Sequence, residues 1–175
     1  MRRPEAYEYP NSPYFAEYLK FGPEEDLMDL LETQQTSLLH ICQNLTKGQE
    51  NFVYAAKKWS IQQLIGHLTD SERIFAYRAL AISRGERQAL PGFDENDYLI
   101  HAQYESQTFS DILTQYQHVR QATISLIKSF SPTQANQLGN ANGHSVSVRA
   151  LCWMIAGHEK HHLKIINERY LPHFL

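Results

Sequence analysis

Apolar positions recur at helical spacing in four long stretches of the chain, with no βαβ alternation, heptad run or internal repeat. The first stripe is Leu27, Leu30, Leu31, Leu38, Ile41 and Leu45. It opens at Gly22-Pro23-Glu24-Glu25-Asp26, where a proline at the first helical position and three carboxylates suit the positive end of a helix, and Gly48 follows its end. The second starts at Ser60 with Gln63 three residues on, a capping-box pattern, and with Trp59 placed to staple onto the first turns. Leu64, Leu68, Phe75 and Ala79 form its stripe, and Gly85 closes it. The third covers about 108–130, with Phe109, Ile112, Leu113, Tyr116, Val119, Ile127 and Phe130 in register and Pro132 as its stop. The fourth begins near Ser145 or Ser147 and runs to about Tyr170, with Leu151, Ile155 and Ile165 apolar and Pro172 beyond. Helices of roughly 20–25 residues would each be about 30–38 Å long, and four of them predict an all-α four-helix bundle.

The remaining segments are harder to place by periodicity. Residues 1–22 are rich in Pro and Tyr, and predict an irregular N-terminal arm with a short helix around 14–20. Its aromatics favour packing on the body, since disordered tails are aromatic-poor. The bundle would then occupy 23–175. Residues 86–106 form a long connection, of the kind that often carries function, and part of 94–102 reads as a short helix capped by Asp94. Residues 136–144 are turn-rich and compatible with a small hairpin.

Composition narrows the class of protein. A chain of 175 residues, 42% hydrophobic and 20% charged, suits one globular domain with a sizeable core. The net charge of −3 and the scattered Lys and Arg argue against a nucleic-acid surface. No run approaches the roughly 20 apolar residues of a membrane span, and Met1-Arg2-Arg3-Pro4-Glu5 lacks the apolar core of a secretory signal. Two cysteines, Cys42 and Cys152, lie within helical patterns and form no C-x-x-C pair. The expectation is a cytoplasmic protein with no nucleic-acid or membrane partner.

The candidate chemistry is carried by histidine. Residues 158–162 read His-Glu-Lys-His-His. His158 and His162, four apart, differ by about 40° in azimuth and share a helix face, so the two imidazoles can bind one ion. His67, in the second helical stretch, supplies a third ligand if those helices are neighbours, and three ligands leave a position open for water or substrate. Gly66 and Gly157 each precede a candidate ligand, and a glycine within a helix calls for a packing reason, here expected to be close approach of the two helices. The competing reading makes each histidine an ordinary surface or hydrogen-bonded core residue. The string also fits the H-E-x-x-H protease pattern with Glu159 as base. The downstream Gly and His of a metzincin are absent, and Glu168 is the only later carboxylate, six residues on along the same helix. His161, about 100° from His162, is expected outside the ligand set, and His144 at the far end of its helix unless its loop folds over the site. Asp70 and Glu72 are candidates to orient an imidazole or act as base, with a salt-bridged face involving Arg73 and Arg78 as the alternative; Asp94 is a third candidate base and could close over a pocket with Asp97, helix capping explaining one of them equally well. Cys152 is expected to be a buried apolar residue.

Several blocks resemble the DinB-like superfamily, which includes the YfiT-like group. They are Lys58-Trp59-Ser60-Ile61, Gly66-His67-Leu68-Thr69-Asp70-Ser71-Glu72-Arg73 and Arg78-Ala79-Leu80; the loops Leu90-Pro91-Gly92-Phe93-Asp94 and Gly139 with Ser145-Val146-Ser147-Val148-Arg149-Ala150; and Gly157-His158-Glu159 with His161-His162-Leu163 and Glu168-Arg169-Tyr170. The resemblance spans about Tyr18 to Leu171. It implies an up-down-down-up four-helix bundle, often a homodimer, with Zn2+ or Ni2+ on three histidines that carry over as His67, His158 and His162. It also implies a metal-dependent reaction on a small molecule. Thiol S-transfer from a low-molecular-weight thiol to an electrophile is the first expectation. Metal-dependent hydrolysis and a non-catalytic metal-binding or stress-related bundle are the alternatives. DNA binding, which the family name suggests, conflicts with the acidic charge balance.

Overall fold

The computed structural model describes residues 1–22 and 24–174. Four long helices make the body: α2 (Leu27–Gln43), α3 (Ile61–Ser83), α5 (Phe109–Lys128) and α7 (Val148–Ile165). Shorter elements fill the connections: α1 (Pro13–Tyr18), α4 (Glu95–Ala102), α6 (Pro132–Ala135) and a hairpin of β1 (Leu138–Ala141) and β2 (His144–Ser147). Among the described residues no helix is long and apolar enough to cross a membrane.

Most ends follow the local signals. Ser60 and Gln63 form the capping box of α3, and Gly85 turns the chain away at φ 91°. Asp94 caps α4, Thr108 caps α5, and Ser147 caps α7. Asn142 and Gly143, at φ 54° and 77°, make the two-residue turn that sets the hairpin register, Ala141 opposite His144. The first long helix differs from expectation. Asp26 accepts from the Met28 and Asp29 N–H groups and so is the N-cap, leaving Glu24 and Glu25 outside the helix. Pro23 lies outside the described residues. The helix is 17 residues long and ends at Gln43, short of Leu45.

Contacts between helices define the direction of each. Gln62, at the start of α3, bonds the carbonyls of Tyr104 and Gln107 just before α5, and Glu72 pairs with Arg120 about three turns further along both helices, so α3 and α5 run parallel. Leu31 meets Arg120 and Gln35 meets Gln117, which makes α2 antiparallel to α5. His67 in the first half of α3 meets His158 in the second half of α7, while Ile82 at the end of α3 abuts Gly139 in the hairpin before α7, so α3 and α7 are antiparallel. The bundle is therefore up-down-down-up, and the long 84–108 connection is what two parallel consecutive helices require.

Two apolar clusters hold the bundle, one around Leu31, Trp153 and Ile155 and the other around Ile65, Tyr116 and Tyr170. Every long helix passes from one to the other through buried polar residues: Gln34 on α2, His67 and Glu72 on α3, Arg120 on α5, and His158, Glu159 and His162 on α7. Arg120 is 0% exposed and touches the other three helices. It donates to Leu31 O (2.9 Å), to both Glu72 oxygens (Nη2 to Oε2, 2.7 Å) and to Glu159, whose other oxygen accepts from Tyr116 Oη (2.5 Å). Burial works against the Arg120 charge, but the two carboxylates more than offset it; burial pushes Glu159 up. Both cysteines are buried and unpaired, and burial pushes each thiol up to about 12.

The arm is fastened to the body by the Arg149–Glu8 ion pair and by Trp153 Nε1 donating to Arg2 O (2.9 Å).

Removing Arg120 would leave two buried carboxylates facing each other. Arg120→Met should therefore destabilise the protein by about 3–5 kcal/mol in urea unfolding, and a loss under about 1 kcal/mol would show that the cluster does not hold the bundle.

Candidate metal centre

His67, His158 and His162 converge at the contact of α3 with α7, and all three are buried. His158 Nε2 lies 3.1 Å from His67 Nε2 and 3.1 Å from His162 Nε2, and the three candidate ligand atoms fall within 4.8 Å of one another. The i, i+4 spacing on α7 delivers two rings, at 85° to each other, and α3 delivers the third. A tetrahedral ion with bonds of 2.0–2.1 Å would place its nitrogens about 3.3 Å apart, close to the separations found.

Hydrogen bonding alone does not satisfy this cluster. A ring nitrogen of neutral imidazole offers one in-plane donor or acceptor site, so His158 Nε2 can serve only one of its two neighbours. A cation at the centre would satisfy all three lone pairs together. Protonation states fit that role. Burial pushes His67 down to about 4 and His162 down to about 3, and His158 is held well below its usual value by burial and by its histidine neighbours. The three rings are thus neutral at ordinary pH, the form in which an imidazole can bind a metal ion.

The structure places the other candidates elsewhere. Asp70 accepts from Tyr104 Oη and from Arg73 Nη1 (2.9 Å). Glu72 is engaged by Arg120, and Asp94 caps α4 through the Asn96 and Asp97 N–H groups. None of the three bonds an imidazole or lines the cavity described below, and His162 Nδ1 is buried without a protein partner. Glu159 bonds Arg120 and Tyr116 and does not line the cavity described below. His161 packs on Tyr18, with ring centroids 5.2 Å apart, outside the ligand set.

The two helix glycines do a different job from the one expected. A Cβ on Gly157 would lie 1.9 Å from the Tyr18 carbonyl oxygen, and one on Gly66 would lie 2.4 Å from the Tyr104 ring. They admit the arm and the long connection, one on each helix, and α3 and α7 do not meet through them. Tyr18 then covers His158 at 5.7 Å between centroids, and Tyr104 reaches Asp70 one turn beyond Gly66.

All three histidines face a cavity of about 490 Å3. Trp59 lies against His67, 4.7 Å between centroids, so it does more than staple a helix end. The arm contributes Tyr14, Phe15 and Tyr18, and the connection contributes Phe93 and Glu95. Leu90 pairs with the hairpin through Asn140 O and the Asn142 N–H, both 2.9 Å, which folds the hairpin over the site and brings His144 to the rim. Arg78 and Ser71 also line the wall. Arg73 has the salt-bridged role expected for that face, whereas Arg78 makes none; a helical stripe drawn onward from His67 through Ser71 and Phe75 would have pointed to it.

A helical bundle with a buried three-imidazole cluster opening on one cavity has the make-up of a metal-binding domain with a free coordination position. Residues 30–166 match the family model of the DinB superfamily, and the chain belongs to that superfamily. The fold is shared with YfiT from Bacillus subtilis, described as a "probable metal-dependent hydrolase with an unusual four-helix bundle topology". The likeness has a TM-score of 0.74 at 18% identity, covering 92% of this chain and 94% of that one. No protein with a curated description matches the chain.

His162→Ala should lower bound metal from one ion per chain to a small fraction without unfolding the bundle, since the site lies at the edge of a cavity; unchanged metal by elemental analysis would remove His162 from the ligand set. Gly157→Ala should push the arm off the body, at a cost of about 1–3 kcal/mol, and expose residues before Tyr18 to limited proteolysis; unaltered protection would contradict the fit of Tyr18 against α7.

Proposed function

We propose that the protein is a divalent-metal-dependent enzyme that hydrolyses a small molecule held in the cavity. The observation that carries this reading is that three imidazole nitrogens lie within 4.8 Å of one another and that all three residues line one cavity. Three histidines suit Zn2+ or Ni2+. Bound there, such an ion supplies Lewis acidity, lowering the pKa of water and polarising an electrophilic group.

The chain's own residues would do the rest. His67, His158 and His162 hold the ion on rigid helices. Trp59, Tyr18 and Phe75 wall the site with apolar surface, which limits bulk water and strengthens electrostatics. No proton transfer is assigned to Asp70, Glu72 or Asp94, because each is engaged away from the cavity. Hydrolysis is preferred to thiol S-transfer because the fold is shared with YfiT, which is described as a probable metal-dependent hydrolase.

The test is a panel of small esters, amides and lactones assayed with metal-loaded protein. Turnover should fall by at least about 100-fold on chelation or in His162→Ala, and return when Zn2+ or Ni2+ is restored to the chelated wild type. Equal rates with and without metal would defeat the proposal, and turnover appearing only when a low-molecular-weight thiol is added would replace hydrolysis by S-transfer.

A further inference from the structure

Along one face of α3, the residues His67, Ser71, Phe75 and Arg78 follow at spacings of four, four and three, and all four line the cavity. The stripe runs from the metal centre to a buried guanidinium. Arg78 is 6% exposed, and it spends one donor on Pro91 O (2.6 Å). Its Cζ lies 6.0 Å from the ring centres of both Phe75 and Phe93. Among the described residues it has no carboxylate partner, although every other buried arginine has one: Arg120 with Glu72 and Glu159, Arg149 with Glu8. An unpaired buried cation is costly, and aromatic faces offset only part of the loss of hydration. Ser71 adds a second unsatisfied group. It is 1% exposed, lines the same cavity one turn from His67, and its Oγ has no partner.

We infer that the cavity is shaped for a small carboxylic acid with an apolar body. Its carboxylate pairs with Arg78, its body lies along Phe75 and Phe93, and its reacting end reaches the three histidines past the Ser71 hydroxyl. The inference rests on the reading of this cavity as a substrate site. The dimensions agree. Arg78 Cζ is 6.0 Å from the Phe75 ring, which is 6.0 Å from the His158 ring, so the guanidinium carbon lies no more than about 12 Å from the centre of the His158 ring. A planar carboxylate suits the guanidinium fork. A phosphate dianion suits it less, because only one arginine is present and the cavity wall also carries Glu95. Arg78 is thus a specificity residue, separate from the groups that hold the ion.

The experiment compares 3-phenylpropionate with its neutral amide, 3-phenylpropanamide, and with phenyl phosphate, by titration calorimetry on metal-loaded and chelator-stripped protein. The acid should bind at least about tenfold more tightly than the amide in both forms. Arg78→Gln should remove that preference, and Arg78→Lys should keep the fold and restore part of it. A preference that vanishes with the metal but survives Arg78→Gln would place the acid on the ion and overturn the inference. Equal affinity for acid and amide, no binding of either at millimolar concentration, or tighter binding of phenyl phosphate would overturn it too. The stripped protein reads the Arg78 site alone, so a failure of the metal-dependent activity would not by itself change this result.

Discussion

The architecture depends on Arg120. Its guanidinium is shared between Glu72 on α3, Glu159 on α7 and the Leu31 carbonyl on α2, so one side chain of α5 sets the axial register of all four long helices. Glu159 is the neighbour of His158, and Glu72 lies five residues past His67. Fixing those carboxylates therefore fixes how α3 slides against α7, and with it whether three imidazoles meet. Apolar packing alone is permissive about such sliding, because hydrophobic burial has no direction. A buried ion cluster is not permissive, since a displaced partner leaves a charge unsatisfied.

The polar layer that results divides the core in two and gives the site its setting. The three histidines line the cavity, and the packed carboxylates with Arg120 lie outside its lining. The arm and the long connection complete the walls, and each reaches its place only because a helix residue lacks a Cβ: Gly157 beneath Tyr18 and Gly66 beneath Tyr104. Segments that look peripheral in the chain are thus part of the site. Arg78, tied to Pro91 and flanked by Phe75 and Phe93, places a guanidinium on the wall of the same cavity as the three histidines.

Much of this was legible in the residues. The four apolar stripes predict the bundle, and the capping signals place the starts of α3, α4 and α7. The i, i+4 pair His158 and His162, with His67 on a second helix, predicts the triad that the structure brings together. What was not legible depends on long-range contacts between segments without periodicity. Gly66 and Gly157 were visible as anomalies, but their partners lie in the arm and the connection. Asp70 and Glu72 stand close to a ligand in sequence and read as its supports. A helix turns 100° per residue, and that rotation carries Asp70 to Tyr104 and Glu72 to Arg120. Arg120 itself carries no signal in the sequence, because a charged side chain is buried only when its partners are, and they sit on other helices.

The most direct test of the account is the X-ray absorption spectrum of the protein loaded with one equivalent of Zn2+ or Ni2+. It should show three imidazole nitrogens, at about 2.0–2.1 Å for zinc, and an oxygen from exchangeable solvent in the remaining coordination. A shell saturated by four protein ligands, or one with fewer than three imidazoles, would contradict a three-histidine centre open to the cavity.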